Sequence, residues 1–199
     1  TSGFFAVLVA VIASLAFYAG PDAAVRVAPG VIWVAVAFAS VLALSRTWQR
    51  EREDGANLGL LSSPVARSAI FAGKAMGLGV FITIVELIVV PVTALLFSVD
   101  LVKMGPGITL FCLAATPGIV AVGTLFGVMT VRTRARDLVL ASVLFPLLSP
   151  TLLAAVAGTR ELFGGAPIIQ LVDYMELMGV FAVVFTAGGL GLFELLGEG

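Results

Sequence analysis

The longest stretches of the chain without Asp, Glu, Lys or Arg are residues 1–21, 27–45, 104–131, 138–159 and 177–193. A helix that crosses a bilayer needs roughly 20 mostly apolar residues, and each stretch is near that length. Residues 69–97 form a further apolar run, interrupted only by Lys74 and Glu86. Of the 199 residues, 60% are hydrophobic and 12% charged, about half the charged share of a soluble domain. One core of this size cannot hide so much apolar surface, so a water-soluble globular protein is excluded. Disorder and a disulfide scaffold are excluded with it.

The expected fold is an all-α integral membrane protein with six transmembrane helices, at about 3–19, 28–45, 69–97, 107–130, 138–157 and 176–195. The whole chain, 1–199, reads as one transmembrane domain, with a connecting segment at 46–68. Gly20-Pro21-Asp22 breaks the first span. Pro29 and Pro106 suit the first turns of the second and fourth, where a missing N–H costs nothing. Asp137 suits the start of the fifth, accepting a bond from an orphan N–H at the positive end of the helix dipole. Pro146 and Pro150 fall inside the fifth span. The segment from Gly158 to Met175 predicts short helical pieces broken at Gly164-Gly165-Ala166-Pro167, lying at the outer interface.

Orientation follows from the basic residues of the connections. Arg46, Arg50, Arg52 and Arg67 lie between spans two and three; Arg132, Arg134 and Arg136 lie between four and five. The other loops carry only Arg26, Lys103 and Arg160. The arginine-rich side is expected to be cytoplasmic, and with six spans both termini share it. Thr1 opens the numbered chain in place of Met, so the natural N-terminus is expected upstream. A cleaved signal peptide is not expected, because apolar spans continue to the end.

Absences narrow the chemistry. The chain has no histidine, so zinc-protease motifs, Ser-His-Asp triads and His-ligated iron cannot come from it. A single cysteine, Cys112, excludes an intrachain disulfide and a CxxC redox site. There is no GxxxxGK[ST] nucleotide motif, and no basic block that suggests nucleic acid. No catalytic residue and no metal-ligand set is expected.

The connecting segment after span two is the most informative. Arg46, Arg50, Glu51, Arg52, Glu53 and Asp54 crowd a few residues, and apolar Leu58, Leu60 and Leu61 follow. A charged stretch leading into a short apolar face suits docking on another protein at the membrane surface. The same residues also read as an ordinary solvated loop with cytoplasmic arginines.

Glu53-Asp54-Gly55, Leu58, Leu60-Leu61, Ser63-Pro64 and Lys74 resemble the corresponding loop of ABC-2-type transporter permeases. Three further segments resemble one branch of that superfamily, the heme exporter protein B (CcmB) family, a membrane component of the cytochrome c maturation haem exporter. They are Ala28-Pro29-Gly30-Val31-Ile32-Trp33, Ala115-Thr116-Pro117-Gly118 with Gly123-Thr124-Leu125-Phe126, and Leu144-Phe145-Pro146-Leu147 with Ser149-Pro150. The resemblance covers essentially the whole chain. After the Gly that family usually has a polar Leu-Glu-Gln-Leu-like run, where this chain has Leu58-Gly59-Leu60-Leu61. The resemblance implies that Arg50 to Pro64 contain a cytoplasmic coupling helix that contacts an ABC ATPase subunit.

It further implies a second copy of the chain, a haem-handling membrane subunit, a small accessory membrane subunit and a periplasmic haem chaperone as partners. ATP would be used at the partner, haem would be the cargo of the complex, and this chain would bind no cofactor. The bacterial inner membrane is the implied location. Without histidine, the iron would be held by the haem-handling partner. Two alternatives stay open on the residues: an ATP-driven exporter of lipid, drug or glycan, and a structural membrane subunit that transports nothing. A secondary transporter is disfavoured, because no inverted repeat is visible.

Glu86 lies deep in the third span. An ionisable group there costs about 2.5–3.5 kcal/mol on insertion scales, so it should face protein or water. It reads either as a substrate-path or proton-linked residue or as a hydrogen-bonded structural one. Lys74 is expected to reach the cytoplasmic interface. Gly73-Lys74-Ala75-Met76-Gly77 and Gly123-Thr124-Leu125-Phe126-Gly127 permit close helix packing within or between subunits. Asp173 and Glu176 either flank an outer mouth or mark the water boundary of span six. Cys112 reads as a small packed apolar residue.

Overall fold

The computed structural model describes residues 2–17, 20–53, 67–129 and 136–195. They form α1 (Ser2–Phe17), α2 (Pro21–Glu53), α3 (Arg67–Leu96), α4 (Leu101–Met129), α5 (Arg136–Phe163), a 3-10 turn (Ile168–Leu171) and α6 (Val172–Leu195). There is no strand among the described residues. In hydrocarbon every backbone N–H and C=O must be satisfied internally, and a helix does this within one segment. Five helices are long and apolar enough to cross a membrane, and Gly3–Phe17 is a shorter apolar one. The molecule is therefore a multi-pass all-α membrane protein.

Helix α4 is the hub. It packs most extensively on α6 and α5, and also on α3 and α2, while α1 leans on α2 and α3. The core holds Trp33, Phe111, Ile119, Leu144, Leu148 and Leu171. Exposed apolar side chains such as Met76, Val80, Leu87 and Leu113 make up the outer surface, the inverse of a soluble protein and natural for contact with lipid tails.

Close approach is achieved by exchanging large and small residues. A Cβ on Gly107 of α4 would lie 2.6 Å from Leu162 of α5, and one on Gly123 would lie 2.7 Å from Leu44 of α2. In return Gly158 of α5 receives the Phe111 ring of α4. The Gly123 pattern thus serves packing within the subunit. Around Gly73 and Gly77 a Cβ would meet nothing within 4 Å.

Several helix ends differ from the expected spans. Helix α4 begins at Leu101, not 107, because Asp100 caps it: Oδ1 accepts from the N–H groups of Val102 (3.1 Å) and Lys103 (3.4 Å). Pro106 therefore lies beyond the first turn, where its missing N–H removes an i→i−4 bond. Pro29 is likewise interior, since α2 starts at Pro21 after Gly20 turns with φ +110°. Helix α3 stops by a Schellman motif on Ser98 (φ 55°): Val99 N–H reaches Ala94 C=O at 2.8 Å, and Ser98 N–H reaches Leu95 C=O at 3.4 Å.

Helix α5 absorbs Arg160-Glu161-Leu162-Phe163, expected in the connection, and stops at Gly164-Gly165. Ala166 N–H bonds Glu161 C=O and Gly165 N–H bonds Leu162 C=O, both at 3.0 Å, with Gly165 at φ +91°. The break expected at Gly-Gly-Ala-Pro is present, followed by the 3-10 turn. Pro146 and Pro150 lie inside α5. Pro150 cannot donate to the Pro146 carbonyl, and the Ser149 hydroxyl does so instead at 2.6 Å. Asp137 is within α5, but its side chain lies outside the described residues.

Gly158→Ala should destabilise the protein by about 1–3 kcal/mol, because the buried Phe111 ring and Tyr174 leave no room for a methyl group. Gly73→Ala should stay within about 0.5 kcal/mol of the parent. Thermal melts of both variants in the same detergent check the contrast.

Candidate functional site

The charged segment is a continuation of α2, which runs unbroken to Glu53. Arg50, Glu51, Arg52 and Glu53 therefore sit on the last turn of a helix and not in a loop starting at 46. The reason is local: Arg, Gln and Glu are good helix formers, and no Gly or Pro interrupts the chain between Trp33 and Glu53. At 33 residues, α2 is about 50 Å long, well beyond a hydrocarbon core of about 30 Å. Asp54, Gly55, Leu58, Leu60, Leu61, Ser63 and Pro64 lie outside the described residues.

Glu86 is buried, only 4% exposed, on the side of α3 that faces α4. The Thr116 hydroxyl of α4 donates to its Oε1 at 2.8 Å. Glu86 lies ten residues from the end of α3 at Leu96, about 15 Å of helix rise and roughly half the hydrocarbon thickness. Cys112, a free and partly buried thiol, stands one turn before Thr116 on α4. The deep carboxyl thus faces protein, with a neutral hydroxyl as its partner. The expectation that it turns away from lipid is met. Thr116 itself was not legible as its partner, because sequence spacing does not say which residues of two helices meet.

Two further polar ties join the helices at the end of α5 near Arg160. The buried Trp33 indole of α2 donates from Nε1 to the buried Thr159 Oγ1 of α5 at 3.0 Å. The Tyr174 hydroxyl of α6 donates to Glu161 Oε1 at 2.7 Å. Asp173 and Glu176 stand nearby, in the first turns of α6, where an acidic side chain favours the helix dipole. Lys74 is half-buried on α3, seven residues from its start at Arg67. The structure does not gather Glu86 and the charged end of α2 into one site: they lie on different helices and at different depths.

A family model described as CcmB protein matches residues 1–188. The chain belongs to the CcmB family. It is 28% identical to heme exporter protein B of Bradyrhizobium diazoefficiens over 157 residues, which cover 78% of this chain and 70% of that protein. It is 26% identical to heme exporter protein B of Pseudomonas aeruginosa over 199 residues, covering 98% of this chain and 87% of that one. The Paracoccus denitrificans heme exporter protein B is 28% identical over 159 residues, 78% of this chain and 72% of the relative. Membership of the CcmB family agrees with the resemblance carried by the Pro29 to Trp33 segment and the acidic pair before Gly55.

Thr116→Val keeps the side-chain shape and removes the hydroxyl donor. It should lower stability by about 0.5–1.5 kcal/mol, an effect that should vanish in a Glu86→Leu background. A double-mutant cycle of detergent melts measures it.

Proposed function

We propose that the chain is the membrane permease subunit of an ATP-driven haem exporter or haem-delivery complex in cytochrome c biogenesis. The observation that carries this reading is the CcmB match along residues 1–188, with each of the relatives above named heme exporter protein B. The chain would not be an enzyme by itself. A partner ABC ATPase would hydrolyse ATP, and two copies of this chain would form one membrane unit in the inner membrane. A haem-handling membrane subunit, a small accessory membrane subunit and a periplasmic haem chaperone would complete the complex.

In this reading all six helices span the membrane, α1 as the shortest, and both termini face the cytoplasm. The arginine distribution supports the orientation, since Arg46, Arg50, Arg52 and Arg67 at the facing ends of α2 and α3, with Arg132, Arg134 and Arg136 around the start of α5, are seven of the eleven basic residues. The coupling element is Arg50, Glu51, Arg52, Glu53, Asp54, Gly55, Leu58, Leu60, Leu61, Ser63 and Pro64. Its first four residues extend α2 as a charged helix, which favours a stiff lever over a slack loop. Closure of the ATPase pair on ATP would push this element, and α2 would carry the motion into the bundle. The Leu residues would supply the apolar contact, and Asp54 with its neighbours the charged contact that sets register. Glu86 and Thr116 fix α3 to α4 at mid-membrane, where a displacement of α2 would have to be accommodated.

Asp54→Lys reverses one charge at the proposed docking surface. The variant should insert into the membrane at the parental level, lose most of the co-purifying ATPase, and fail to restore c-type cytochromes in a bacterium lacking its own CcmB protein. Full recovery of ATPase with the variant would show that this segment is not the docking element. Failure of the parent chain to restore c-type cytochromes would oppose the haem reading and favour another cargo.

A further inference from the structure

We propose that Trp33 is a positioning residue that fastens the lever to the bundle: its indole N–H ties α2 to α5 at Thr159, so that a push on the charged end of α2 moves α5. This rests on the reading that the segment after α2 docks an ATPase.

The stiffness of α2 is set by its sequence. Between Trp33 and Glu53 the chain contains no Gly and no Pro, so this stretch behaves as one rod. Pro29 and Gly30 lie just beyond Trp33, on the side away from the charged segment. Helices bend at such positions. The stretch free of Gly and Pro thus begins close to where the indole is held. From Trp33 to Arg46 is thirteen residues, about 20 Å of rise, so the tie sits most of a membrane thickness from the charged end.

The tie is directional. Trp33 and Thr159 are both buried, and the N–H reaches the hydroxyl oxygen at 3.0 Å. Sliding α2 along α5 would leave a buried indole N–H without an acceptor, an unfavourable state in a water-free interior. Another contact between these helices has no such preference: Phe38 and Phe145 meet edge to face at 5.4 Å, a geometry tolerant of small shifts.

Behind Thr159 the structure is braced. Its neighbour Gly158 seats the Phe111 ring of α4 beside Tyr174 of α6, and the Tyr174 hydroxyl bonds Glu161 of α5. Leu162 fills the space above Gly107 of α4. Thr159 therefore belongs to a locked α4–α5–α6 block, and displacement of Trp33 is passed to three helices together.

The test compares Trp33→Phe, which keeps an aromatic ring without the N–H, Thr159→Val, which removes the acceptor, the double variant, and Thr159→Ser, which keeps the hydroxyl. Each is purified with its ATPase partner. ATPase yield and ATP turnover are measured on the complex, and mature c-type cytochrome is measured in cells holding equal amounts of it. Trp33→Phe and Thr159→Val should each lower cytochrome formed relative to ATP turnover about fivefold or more, the factor that corresponds to the roughly 1 kcal/mol of one hydrogen bond.

The double variant should lose no more than either single one, Thr159→Ser should stay within about twofold of the parent, and ATPase yield should be unchanged throughout. Parental coupling in Thr159→Val, or an equal loss in Thr159→Ser and Thr159→Val, would overturn the proposal. Losses that multiply in the double variant would also overturn it. If Trp33→Phe does not accumulate, the Ser and Val variants at 159 decide alone. Absence of ATPase from the parent complex would instead overturn the docking reading on which the proposal rests.

Discussion

Helices surrounded by lipid have no hydrophobic force drawing them together, because lipid tails are as apolar as Leu. What remains is close packing and a few hydrogen bonds, and the rest of this structure depends on the packing being concentrated on α4 and on single bonds that tie α3 to α4, α2 to α5 and α6 to α5. Gly107, Gly118 and Gly123 let α4 take side chains of α5, α6 and α2 against its backbone. Phe111 returns the exchange into Gly158. Polar side chains then act at single points: Thr116 with Glu86 toward α3, and Trp33 with Thr159 from α2 to α5. In an apolar interior each such bond fixes a register that Leu and Val alone would leave adjustable.

This arrangement separates two jobs. The α4–α5–α6 block is interlocked, while α2 combines a buried middle with a charged helical extension that outruns the bilayer. A protein that receives mechanical work from a cytoplasmic partner needs both a stiff input and a body that moves as a unit. In the proposed coupling role the continuous helix from Trp33 to Glu53 would provide the first, and the packing around α4 the second. Glu86, buried on the side of α3 that meets α4, marks the interface that such a movement would test.

Five of the expected spans correspond to helices long and apolar enough to cross a membrane, and they were legible in the sequence because apolar runs of bilayer length have few alternatives. Their ends were less so. Pro29 and Pro106 look like first-turn residues, yet Pro21 and Asp100 start the helices earlier, and a bilayer-length count gives no reason to extend a span outward. The stop at Gly164-Gly165 was legible because Gly at positive φ is the usual end of a helix. The same stop on Ser98 was not, since Ser carries no such signal. Arg46 to Glu53 looked like a loop because a span was read as ending where charge begins, whereas helix propensity continues past that point. Glu86 could be read as facing protein from cost alone. Thr116, Thr159 and Tyr174 could not be read as partners, because their pairings cross 30, 126 and 13 residues of chain.

The coupling role is tested most directly by purifying the tagged full-length protein from its own bacterium in a gentle detergent, with mass spectrometry of the intact assembly. An ABC ATPase and a haem-handling membrane protein should be present together with two copies of this chain. A folded, correctly inserted chain that carries no ATPase would contradict that role.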